Sequence, residues 1–129
     1  MTIGLLILGI GVSAQVTTNR TTAPTASSST LDYNDGTLVI TFSEKIDAST
    51  VNLSKIHLNN VTGTNNVTLT GATAGTTDGT TLTITLTEAQ RLAVLALSGV
   101  AGGDGGAVFL DMDAAAIADM GAANIAIDD

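Results

Sequence analysis

The chain has 129 residues, a formal net charge of −8 and only four lysines and arginines, a balance that argues against a phosphate-tracking nucleic-acid surface and against docking on anionic lipid headgroups. Hydrophobic residues make up 44% but aromatics only 2%, so sugar-binding and base-stacking platforms lack the rings they need. Cysteine is absent, which excludes both a disulfide framework and a thiolate metal site. A single domain of this length can bury a core without staples. Its polar residues are mostly Thr, Ser, Asn and Gly; β-branched Thr suits the outer face of strands, so the composition favours an all-β domain.

Met1 to Val16 is an apolar run with Ile3, Leu5, Leu6, Ile7, Leu8, Ile10 and Val12 at its centre. It is too short for a transmembrane helix, which needs about 20 apolar residues. Two readings stay open. Val12-Ser13-Ala14 matches a signal-peptidase site, with cleavage before Gln15, although no positive side chain precedes the apolar run. Alternatively, Gly4, Gly9 and Gly11 disfavour a helix and the run is a retained, buried strand. Gln15 to Thr30, rich in Thr and Ser and holding Pro24, reads as an extended arm or linker. The expected division is therefore an arm and linker over 1–26 and a domain over 27–129.

Leu31 to Val51 carries the clearest local signal. Asn34-Asp35-Gly36 supplies the φ > 0 positions of a hairpin turn. Beyond it Leu38, Ile40 and Phe42 alternate with Thr37, Val39 and Thr41, which places the two sets on opposite faces of a strand. Asp47 stands where an N-cap would open a short helical turn. Further strands are expected over Ser54–Leu58, with Ile56 and Leu58 inward, over Asn66–Thr70 and over Thr80–Leu86, the last two joined by a turn at Thr77-Asp78-Gly79. Thr87 and Gln90 have capping-box spacing before the helical Arg91–Leu97, and Gly99 is a natural stop. After a glycine-rich loop, Gly102–Gly106, Val108, Leu110 and Met112 alternate as a strand. Asp119-Met120-Gly121 then turns the chain into a closing strand, Asn124–Ile127.

Three of these segments, Thr41–Val51, Thr76–Ile84 and Ala118–Asn124, resemble in order the strand-plus-turn, the central hairpin and the closing turn of bacterial and archaeal Ig-like repeats, the modules of surface-layer and adhesin-type chains. The resemblance runs from about Ser27 to the C-terminus. It implies an all-β, Ig-like antiparallel β-sandwich with one short helix inserted before the last two strands. The chain departs from the family in holding one unit rather than tandem copies, in having Gly121-Ala-Ala-Asn124 at the closing turn, and in its apolar arm. A module normally held in a row by covalent linkage must here find its neighbours in another way, which makes the arm the expected assembly interface.

Chemistry-bearing residues are few. His57 is the single histidine, expected on the polar side of its strand, and no serine or cysteine motif supplies a catalytic partner. Asp111 and Asp113 share a strand face, and Asp119 follows, so the three are candidate calcium ligands. The bland alternative is a solvated acidic edge, and neither an EF-hand loop nor a glycine-rich calcium repeat is present. Asn19, Asn52, Asn60 and Asn66 each open an N-x-Ser/Thr triplet, of the kind that arises by chance in so Thr-rich a chain.

The expectation that follows is a non-enzymatic structural subunit with no cofactor. Its partners would be other protein subunits, copies of itself or a capsid or surface protein, in a homo-oligomer or polymer, with no nucleic acid and no membrane span. A virion surface is the first setting, as a decoration or tail-associated protein. A secreted cell-surface filament, surface-layer or adhesin subunit is the alternative.

Overall fold

A computed structural model describes residues 22–60, 67–99, 106–121 and 127. The apolar run Ile3–Val12, most of the Gly102–Gly106 loop and all of the closing segment Asn124–Ile127 except Ile127 lie outside the described residues.

Two antiparallel sheets form a β-sandwich. The larger contains β1 (Ala26–Asp32), β2 (Thr37–Asp47), β6 (Gly79–Thr85) and β5 (Thr73–Ala74) in that order, with β8 (Ala118–Asp119) pairing the far end of β2. The smaller has the order β4 (Val67–Thr68), β3 (Ile56–Asn59), β7 (Phe109–Met112). The one α-helix among the described residues, α1 (Glu88–Ser98), precedes β7 and β8 and packs on β3 and β4.

The alternation read from β2 holds. Leu38, Ile40 and Phe42 are buried, whereas Thr37, Val39 and Thr41 are only partly covered. Together with Leu82 and Ile84 of β6 they pack against Ile56, Leu58 and Met112 of the opposite sheet and Val94 of the helix. Period-two burial in β2 and β6 and the i, i+4, i+8 burial of Gln90, Val94 and Ser98 in α1 are the expected marks of elements that cover one core with one face.

Local chemistry sets the boundaries. Gly36 takes φ of 77°, and its turn is closed by Gly36 N–H donating to Asp32 O at 2.8 Å. Asp47 accepts from Ser49 N–H at 2.9 Å and opens a 3₁₀ turn over Ala48–Thr50. Thr87 and Gln90 form both halves of the capping box, and Gly99 ends the helix in the left-handed region.

Three expectations need correction. The Thr/Ser-rich segment is not a linker as far as Thr30: Pro24 is fully buried, Thr25 exchanges hydrogen bonds with Ser43, and Ala26–Asp32 is a strand laddered to β2. Residues 54 and 55 do not begin a strand, because Asn52 caps a second 3₁₀ turn over Leu53–Lys55. Nor do the strands at 67–68 and 79–85 form a hairpin. Leu69 N–H donates to Ile56 O, Gly71 turns at φ of 93°, and the chain crosses to the larger sheet, where β6 pairs with β5 instead. Asp78, read as a turn residue, accepts from Ala48 N–H at 2.8 Å and so fixes β2 to the start of β6.

Candidate functional site

The outer face of the smaller sheet carries the densest polar constellation. Ile56 and Leu58 point inward, so the alternate residues His57 and Asn59 point outward. β3 pairs with β7 in the register His57 opposite Asp111 and with β4 in the register His57 opposite Thr68. The imidazole thus stands between residues of both neighbouring strands. Its Nδ1 is 2.9 Å from Thr68 Oγ1, and its Nε2 is 3.1 Å from Asp113 Oδ2. A carboxylate can only accept, so Nε2 is the donor to Asp113, and the threonine hydroxyl can either donate to or accept from Nδ1. Asn59 Nδ2 donates to Asp111 Oδ2 at 3.3 Å beside this pair.

A threonine, a histidine and an aspartate in series are the atom types of a nucleophile, base and orienting acid. The two ring nitrogens bond across strands, β4 to β3 through Thr68 and β3 to the residue after β7 through Asp113. The His57 side chain is 15% exposed and that of Asp113 48%. The ring thus bridges a three-stranded sheet whose edge strand β4 has two residues among those described.

The three candidate calcium ligands are not brought together. Asp111 and Asp113 do share the outer face, as their spacing requires, but each carboxylate is already an acceptor for a neighbouring side chain. Asp119 lies on β8 in the other sheet, fully buried, with Oδ1 accepting from Gly121 N–H at 3.0 Å. It is therefore neither a third ligand for that pair nor part of a solvated edge. Among the described residues no group of three or more His, Asp or Glu could hold a metal ion, and no helix is long and apolar enough to cross a membrane.

Two polar residues matter more than their sequence context suggests. Gln90, only 9% exposed, closes the capping box and also donates from Nε2 to Thr68 O at 3.2 Å and Thr70 O at 2.8 Å. The amide therefore pins α1 to β4 and to the crossing that follows. Arg91 donates to Glu88 on its own helix and from Nη1 to Tyr33 O at 2.9 Å, which ties the helix to the β1–β2 turn. The guanidinium holds the Glu88 carboxyl below the usual glutamate range. The capping spacing was readable in the chain; the long-range bonds of the same side chains were not, because they depend on which strands lie beneath the helix.

The chain matches no protein-family profile, no curated protein and no solved structure.

Proposed function

We propose that this protein is a non-catalytic structural subunit, built on an Ig-like sandwich, at the surface of an ordered assembly. The setting is a virus particle, where it serves as a decoration or tail-associated protein. One observation carries the reading. Pro24 is buried in the sandwich, and in the sequence residues 13–23 separate it from an apolar run that includes Ile3, Leu5, Leu6, Ile7, Leu8, Ile10 and Val12.

Such a run left in water is an aggregation hazard. It is removed, placed in a lipid or buried against protein, and burial by a neighbouring subunit turns the hazard into an assembly contact. At about 25 cal/mol per Å² of apolar surface, covering several of these side chains contributes many kcal/mol of gross association energy before entropy losses. The sandwich itself suits a surface role: Thr81, Thr83 and Thr85 of β6 alternate with buried Leu82 and Ile84 and present a neutral polar face to solvent.

A second setting is a secreted filament, surface-layer or adhesin subunit. Val12-Ser13-Ala14 favours it as a cleavage site, as does the exposed Asn52, which heads an Asn-Leu-Ser triplet. The intact mass of the protein from its natural source separates the two. A chain that includes Met1 and carries no sugar supports assembly into a virion. A chain that begins at Gln15, with or without glycan mass, supports the secreted surface subunit and removes the apolar run from the interface.

A further inference from the structure

We infer that the free edge of β1 is the acceptor for the apolar run, supplied by a second copy of this chain; the inference rests on the assembly reading above and names its docking surface. Sheet edges offer unpaired N–H and C=O groups, and proteins blunt them with short strands, charges or a covering element. Among the described residues the other edges follow that rule. β5, β4 and β8 have two residues each, and β4 lies against α1; β7 has four residues and carries Asp111.

β1 is different. It has seven residues, Ala-Ser-Ser-Ser-Thr-Leu-Asp, with no charge before Asp32, and nothing among the described residues pairs its outer side. A bulge at its start, between Ala26 and Ser28, leaves Ser28–Asp32 as a regular edge.

Its faces are equally unusual. Ser29 lies opposite Ile40 and therefore shares the core-facing side of the sheet, yet Ile40 is fully buried and Ser29 exposed. Only Leu31 of β1 is even partly covered. Apart from Leu31, which packs at the edge of the core, the described residues of the second sheet leave β1 uncovered, so the strand overhangs the sandwich.

The overhang decides the occupant. As a strand, the apolar run would place Ile3, Leu5 and Ile7 on one face and Leu6, Leu8, Ile10 and Val12 on the other, so both faces need cover. Laid along its own β1, it would lie beyond the second layer, because among the described residues only Leu31 of β1 reaches the core. A neighbouring copy supplies that layer. The tether of residues 13–23 spans at most about 36–40 Å when extended, enough to cross to an adjacent subunit of this size. The mode is strand addition, with main-chain hydrogen bonds for affinity and side-chain pockets for register.

The absence of native cysteine allows a direct test in the full chain. Chains with Ser29→Cys are co-expressed with differently tagged chains carrying Leu5→Cys, Leu6→Cys, Ile7→Cys or Leu8→Cys, which sample both faces of the run, and the assembled protein is oxidised. A disulfide between the two tags is expected for at least one arm position. It should exceed by about tenfold or more the yield obtained with Thr83→Cys, on the outer face in the middle of the larger sheet, because pairing raises the local thiol concentration only at the edge. Assembled protein in which no arm position prefers Ser29→Cys over Thr83→Cys overturns the β1 acceptor and leaves the assembly reading standing. Full-length chains that remain monomeric overturn both.

Discussion

His57 Nε2 stands 3.1 Å from Asp113 Oδ2, a contact across 56 residues of chain that joins the centre of the smaller sheet to the segment leaving β7. With the Thr68 bond on the opposite ring nitrogen, one side chain spans all three strands. His57→Ala removes both bonds and is expected to cost about 1–2 kcal/mol in urea unfolding, whereas Asp113→Ala, with its half-exposed carboxylate, costs under about 1 kcal/mol. Asp113→Asn keeps an acceptor and should lie close to wild type. An enzymatic activity abolished by His57→Ala with stability intact would contradict the bridging role.

Gln90 joins a helix cap to two strand-side carbonyls. Gln90→Ala leaves the Thr68 and Thr70 carbonyls without that donor and opens the capping box, so a loss of about 2–3 kcal/mol is expected in chemical unfolding. Thr87→Ala removes only the cap half and should cost about 1 kcal/mol. Equal losses would show that the cross-element bonds contribute nothing.

At Gly36 the backbone is left-handed, and an added Cβ would meet Leu86 Cβ and Arg91 Cδ at 3.5 Å. The contact distances are ordinary; the conformation is not. Gly36→Ala should therefore destabilise by about 1–2 kcal/mol through backbone strain, with Gly36→Asn closer to wild type. Thermal unfolding of the two variants measures the difference.

The Glu88 carboxyl titrates below its ordinary value of 4.5 because Arg91 hydrogen-bonds it. A depressed carboxylate stabilises the fold above its unfolded pKa, and that contribution disappears as pH falls through the lower folded value. The pair's effect on stability should therefore be present near neutrality and lost below pH 4.5. Side-chain NMR titration should give a Glu88 midpoint that rises to the ordinary value in Arg91→Ala.

Much of this fold is legible locally. Asn34-Asp35-Gly36, Asp47, the Thr87–Gln90 spacing and the alternation in β2 each state their structure within a few residues, since turns, caps and faces depend on near neighbours. What failed was non-local. β1 has the composition of a linker, and only pairing with β2 makes it a strand. The crossing at Leu69–Gly71 depends on Ile56, thirteen residues earlier in the chain from Leu69, accepting its bond. Asp119 looks like a surface carboxylate in an acidic segment, yet β8 pairs with β2 and buries it. The His57 bridge likewise needed the β3–β7 register, which no short window contains.

Assembly driven by the apolar N-terminal run is open to a solution test. Sedimentation of the full-length protein beside Leu6→Asp tests it most directly, because an unpaired charge in an apolar contact is costly. A polymer or particle is expected for the natural sequence, and a single 12.9 kDa subunit with an unchanged melting transition for Leu6→Asp. Assembly that survives Leu6→Asp unaltered, or a natural sequence that sediments as a monomer, would contradict it.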